Sequence, residues 1–230
     1  MAGKVLLVEG ANDRDFFQAV LADSKLQNVN IAPKTPSEAE ASSVKKNGVD
    51  NLLIALALQL GKLKEAEGIE RLGIVVDADH ATNDPSCDFG FSVRRKQVAD
   101  VLANQGWLPT STPAPLTKGE FFRHPDGLPD VGLWVMPDHG ADGMLEDFVM
   151  PLIAGVDQQR LFQHAQVTIG NLPVTLFNPK LHTTKACVAT WRAWQKSPGG
   201  SLGKVLQSEA LDLTLSPASE FIEWLKVTFS

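Results

Sequence analysis

The sequence predicts an α/β protein: a mainly parallel sheet with helices on both faces, followed by a helical C-terminal portion. Three observations predict it. Through the first 140 residues, short apolar runs stopped by turn signals alternate with longer stretches of helical periodicity. The runs are apolar throughout instead of alternating with polar residues, as strands covered on both faces are. Beyond residue 140 the strand-like runs stop and helical spacing continues. The chain is therefore read as an α/β domain over 1–140 with a helical portion over 141–230 packed on it.

The first strand is Lys4–Val8, ending in Glu9-Gly10. Asn12 is a good N-cap for the helix that follows, with Asp15 three positions on. Phe16, Phe17, Val20 and Leu21 then keep helical spacing. Val29–Ile31 is a short second strand, and Pro33–Lys46 is a polar, exposed connection. A helix over Val49–Leu63 carries Leu52, Leu53, Leu56 and Leu60 on one face. Strand Leu72–Val76 ends in Asp77-Ala78-Asp79, and a polar loop spans Ala81–Asp88. Helix Ser92–Asn104 comes next. Prolines between Trp107 and Pro129 favour loops and edge strands. Val131–Met136 is the last apolar run, stopped by Pro137-Asp138-His139-Gly140. Leu145–Ile153, Gln158–Ala165, Thr183–Gln195 and Pro217–Phe229 read as helices. Their aromatic residues, Trp191, Trp194, Phe221 and Trp224 among them, are expected to pack the helices onto the sheet.

With 43% hydrophobic and 21% charged residues in 230, the composition is that of an ordinary globular chain. No apolar run approaches the ~20 residues that span a bilayer. The start, Met1-Ala2-Gly3-Lys4, runs straight into a strand without a signal peptide. Cys87 and Cys187 are isolated, which argues against a zinc site or a disulfide framework. A cytoplasmic location without membrane contact is the resulting expectation. Net charge −6 and a pI near 5.4 count against tight non-specific nucleic-acid binding. They count less against metal-dependent phosphoryl transfer, where bound cations offset an acidic cluster.

Chemistry concentrates where strands end. Ligands of open α/β sheets bind beyond the carboxyl ends of the strands. Carboxylates gathered there repel one another unless a cation lies between them, and clustered oxygens suit Mg²⁺ or Mn²⁺. Asp77 and Asp79, two apart on an extended segment, point the same way and can reach one cation. They equally suit a turn that closes the strand. Glu9 is costly at a buried strand end unless something positive meets it. Asp13 falls in the first turn of the next helix, where the helix dipole is an equally good reason for it. Asp138 follows the Val131–Met136 strand and so belongs to the same rim. Glu146 and Asp147 begin a helix and suit either metal contact or the helix N-terminus. His80 and His139 each follow an Asp without zinc spacing, and fit as supporting groups to the carboxylates. Gly199–Lys204 is shorter than a phosphate-binding loop and has Val205 in place of its Ser or Thr.

Two of these stretches resemble the TOPRIM domain. V-L-L-V-E-G-A-N-D-R-D-F-F matches its strand-Glu-Gly-helix motif, with Asp13 as in the OLD-family nucleases, and G-I-V-V-D-A-D matches its D-x-D motif. G-L-W-V-M-P-D-H, G-M-L-E-D-F-V and the ending F-I-E-W-L are similar to a small prokaryotic family of stand-alone TOPRIM-like proteins. The resemblance implies that Asp77 and Asp79 hold Mg²⁺ or Mn²⁺ and that Glu9 binds metal or acts as general acid/base. It implies a second metal position at Asp13 with Glu146 or Asp147. It also implies a late catalytic lysine, for which Lys185 in H-T-T-K-A is the candidate, a solvated surface lysine being the plainer reading. The chain has no Tyr, which removes topoisomerase chemistry, and no ATPase domain or primase zinc motif is visible.

The expected function is Mg²⁺- or Mn²⁺-dependent phosphodiester cleavage, with nucleic acid or a nucleotide as partner. The alternative is a non-catalytic Mg²⁺-dependent module of regulation or defence that binds a nucleotide or a protein partner. A basic groove at Glu9 and Asp77, built from Arg14, Arg94, Arg95 and Lys185, would favour nucleic acid; an acidic rim would favour the alternative.

Overall fold

The computed structural model describes residues 3–33, 48–65, 68–82, 89–110 and 118–230. Among the described residues, four strands form the parallel part of the sheet, β1 (Gly3–Val8), β2 (Val29–Pro33), β3 (Ile69–Asp77) and β6 (Val131–Met136); β6 is apolar throughout, and β1 and β3 are so in their second halves up to the closing Asp77. They pair in parallel in the order β2-β1-β3-β6. The proline-rich region supplies two short strands, β4 (Leu108–Pro109) and β5 (Glu120–Arg123), which add antiparallel to complete β2-β1-β3-β6-β5-β4. The sheet is therefore mixed but mostly parallel.

Side chains alternate across the strands and divide the interior in two. Leu7, Ile74, Val76, Leu133 and Val135 face one way and meet α2 (Gly48–Leu63) and α3 (Phe91–Asn104) in an aliphatic core. Leu6, Val8, Val75, Trp134 and Met136 face the other way. There they meet α1 (Ala11–Asp23) and the helical last third: α4 (Leu145–Val149), α5 (Val156–Gly170), α6 (Pro179–Ala193), α7 (Leu202–Gln207) and α8 (Ala218–Phe229). A 3₁₀ turn, Met150–Leu152, ends α4 early because Pro151 cannot continue it. This second core is aromatic. Trp134 packs edge-on against Phe221 with centroids 5.2 Å apart, and Phe221 stacks on Trp224 at 5.5 Å.

Close approach explains two glycines. A Cβ on Gly132 of β6 would lie 2.6 Å from the Thr228 hydroxyl of α8, and one on Gly203 of α7 would lie 2.3 Å from the Asp15 carbonyl of α1. Larger residues would lift these helices off their seats.

The first helix departs from its expected start. It begins at Ala11, not after Asn12, and its N-cap is Gly10. The Asp13 carboxylate accepts the Gly10 N–H at 2.9 Å. Glycine straight after the strand turns the chain so sharply that no loop residue remains to serve as cap, and the third helical residue satisfies the free donor instead. The rest of the Pro33–Lys46 connection, most of the Ala81–Asp88 loop, and Cys87 lie outside the described residues. Cys187 is buried with a free thiol. Among the described residues no helix is long and apolar enough to cross a membrane.

Candidate functional site

Parallel pairing of β1 with β3 brings their carboxyl ends side by side. Glu9 follows β1, and its Oε1 accepts the Asp77 N–H at 2.9 Å, across 68 residues of sequence. Asp77 Oδ1 in turn accepts the N–H of Leu145, the first residue of α4, at 3.0 Å. That bond draws the α4 N-terminus over the strand end and places Glu146 at the site. Glu146 Oε1 lies 3.5 Å from the Lys185 Nζ of α6. A cavity of about 150 Å³ results, lined among others by Asp13, Asp77, Glu146, Lys185, Arg192 and Ser201. Gly48, at the start of α2, leaves room on the far side of Glu9: a Cβ there would lie 3.1 Å from Glu9 Oε2.

Burial, reinforced by crowding of like charge, governs the electrostatics. Burial pushes the Glu9 carboxyl up to about 7, and Asp79 and Asp13 reinforce it; the Asp77 N–H and Arg94 oppose it. Asp77 is raised well above the usual carboxylate range, first by burial and then by Glu9, Asp13, Asp79 and Glu146. Asp13 is raised by burial and by Glu146, against the Gly10 N–H and Lys185. Each group makes its neighbours harder to ionise.

The remaining predicted residues stand elsewhere in the same neighbourhood. Asp79 adopts a left-handed backbone (φ 59°) and exchanges two backbone hydrogen bonds with Gly143, at 2.7 and 3.1 Å. Its Oδ2 pairs with the buried Arg94 at 2.9 Å. Asp138 Oδ1 accepts the Ala141 N–H at 2.7 Å and closes the turn after β6. Asp147 Oδ2 accepts the Met144 N–H at 3.0 Å and lies 3.1 Å from His80 Nε2. His139 Nδ1 accepts the Val135 N–H at 3.1 Å, and burial, Arg95 and Lys118 lower it to about 4. It is a neutral packing group against Phe91 and Trp134.

The cations expected to flank the site go to other duties, Lys185 excepted. Arg94 is buried against Asp79, Arg95 is paired with Glu120, and Arg14 lines a separate cavity between α1 and β2. Arg192 and Ser201 are the site residues that sequence reasoning missed. The signal for Arg192 was its position seven residues after Lys185, two helical turns along the same face.

The donor set suits a hard divalent cation in kind: carboxylate oxygens, partly buried, whose mutual repulsion a cation would relieve. As placed, no three His, Cys, Asp or Glu side chains among the described residues form a ready metal cage. One oxygen each of Glu9, Asp13 and Asp77 is engaged by a backbone N–H.

A family model for a protein of unknown function, DUF3226, matches residues 3–230, and the chain belongs to that family. No curated protein and no solved structure matches it.

Proposed function

We propose that this protein cleaves phosphodiester bonds, in a nucleic acid or a nucleotide, in dependence on Mg²⁺ or Mn²⁺. The observation that supports the reading is one cavity lined by Asp13, Asp77 and Glu146 on one side and by Lys185 and Arg192 on the other, with Glu9 bonded to Asp77 behind it. The TOPRIM resemblance of the Glu9-Gly10 and Asp77-Ala78-Asp79 segments agrees with it. Asp77, Asp13 and Glu146 would hold the cation, and Glu9 would either join them or act as general acid/base. Asp79 would join them on releasing Arg94. A divalent ion held there supplies Lewis acidity to a phosphoryl oxygen and acidifies a bound water.

The protein's own groups account for the rest. Lys185 and Arg192 would bind the non-bridging phosphate oxygens and stabilise the charge that grows on them. Glu9 binds the Asp77 N–H through Oε1, so its proton resides on Oε2. A carboxyl held near 7 both accepts and returns a proton at neutral pH, as a general acid/base must.

A second reading is favoured by the net charge of −6 and by the pairing of Arg94 and Arg95 with Asp79 and Glu120, which takes them out of a basic groove: a module that binds Mg²⁺ with a nucleotide or protein partner and catalyses nothing. One experiment separates the two. Wild-type and Asp77→Asn protein would be incubated with single- and double-stranded DNA and RNA under Mg²⁺, Mn²⁺ or EDTA. Metal-dependent cleavage confined to the wild type establishes the enzyme. No cleavage in any lane, with Mg²⁺ binding detected by calorimetry, establishes the module.

A further inference from the structure

Charge is distributed unevenly along this acidic chain. Residues 158–208 hold six of its 21 Lys and Arg and none of its 27 Asp and Glu. The segment runs from the first turn of α5, just after Asp157, through α6 and α7. Lys180, Arg192, Lys196 and Lys204 have no ion-pair partner among the described residues; Arg160 and Lys185 pair only with acids outside the segment, Asp157 and Glu146. Lys180, Lys185, Lys196 and Lys204 are exposed and Arg192 is half-buried.

Along α6, residues 182, 185, 189 and 192 recur at helical spacing and share one face: His182, Lys185, Ala189, Arg192. Lys185, Ala189 and Arg192 line the carboxylate cavity. The two cations lie seven residues apart, ~10 Å along the axis, with the small Ala189 between them. A solvated helix face normally mixes signs, because unrelieved like charge repels itself. A cationic ridge beside an acidic cavity, with Arg192 unpaired among the described residues and Lys185 held only by Glu146 of the cavity itself, is a surface for a polyanion that runs past the cavity and touches it with more than one phosphate.

We propose that α5–α7 is a phosphate-backbone contact surface for a polynucleotide strand, with Lys185 and Arg192 gripping phosphates along the α6 wall of the carboxylate cavity. This names a polynucleotide, not a mononucleotide, as the partner. It rests on the cleavage reading only for which phosphate reacts.

The test is binding without turnover. Fluorescence anisotropy would follow labelled 20-nucleotide single strands and 20-base-pair duplexes of DNA and RNA, in EDTA, across a salt series. The wild type is expected to bind at least one of them, with log K falling linearly in log salt. Arg192→Glu/Lys196→Glu should weaken binding at least about tenfold and reduce the salt slope by roughly 0.7–0.9 for each phosphate no longer neutralised. Lys62→Glu/Lys226→Glu, exposed cations outside the segment, should change binding less than about twofold. If the charge reversal fails to fold, judged by circular dichroism, Arg192→Gln/Lys196→Gln reads the same weakening at smaller size. No binding at low salt, equal weakening by the control pair, or displacement by a mononucleotide at the same phosphate concentration overturns the proposal. Intact binding without cleavage overturns the cleavage reading alone.

Discussion

The two sides of the cavity are built from different parts of the chain on opposite electrostatic terms. The floor comes from strand ends and the first turn of α1: Glu9, Asp13 and Asp77 are partly buried, bonded to backbone N–H groups, and raised in pKa first by burial and then by neighbouring carboxylates. The wall comes from α6: Lys185 is exposed and Arg192 half-buried, on a segment without a single acid. Floor residues store unfavourable energy in the native state, because carboxylates are held where they resist ionising. Wall residues store almost none, because water screens them. Function and stability should therefore separate differently on the two sides.

The largest effect is expected on the floor. Asp77→Asn keeps the Oδ1 acceptor for the Leu145 N–H but removes an ionisable group from a crowded, buried place. Cleavage should fall by roughly 10³-fold, while the urea midpoint rises by the equivalent of about 1–2 kcal/mol. A midpoint that fell instead would break the contrast. On the wall, Lys185→Ala should lower kcat by about 10²-fold and leave stability within about 0.5 kcal/mol, as for other exposed ion pairs. Equal decreases in stability at Lys185 and Asp77 would show that the two sides form one structural unit.

The smallest effect is a pH slope. Glu9 titrates at about 7 in the native protein against an ordinary value of 4.5, so between those values the native state holds a proton the unfolded chain has released. The stability this contributes is complete below about pH 4.5 and is lost as pH rises through 7. Asp77, raised in the same sense, steepens the fall. Urea denaturation at a series of pH values should show stability declining over this window, and Glu9→Gln should flatten it. An unchanged slope in that variant would place the proton elsewhere.

The floor was legible in the sequence and the wall only in part, through Lys185. Glu9 and Asp77 announce themselves because a charged residue directly after a run of Val, Leu and Ile has few structural excuses. The parallel pairing that unites them follows from the alternation of strand and helix. Asp138 looked equivalent, yet Asp77 registers with Met136, so Asp138 lies two residues further out and closes its own turn. Asp147 was indistinguishable from Glu146 in sequence; α4 turns one toward Lys185 and the other toward His80. Arg192 escaped because charge was counted over the whole chain, where the six cations of its segment vanish into a net −6. Counting by segment exposes it. Arg94 and Arg95 misled for the opposite reason: a basic cluster in sequence proved to be two paired residues, at Asp79 and Glu120.

The seat of α8 has a consequence for how the molecule comes to be made. Lys4 Nζ bonds to the Phe229 carbonyl and Arg71 Nε to that of Ser230 at 3.1 Å, while Thr228 and Trp224 press on Gly132. These contacts join residues as far apart as 225 positions. Loops of that length close late, and chains that depend on them fold slowly. On the ribosome, β1, β3 and β6 are all synthesised before α8, so Trp134, Phe17 and Phe148, which pack on its Phe221, wait uncovered until it arrives. That interval is when the nascent protein is most exposed to aggregation and has most to gain from a chaperone.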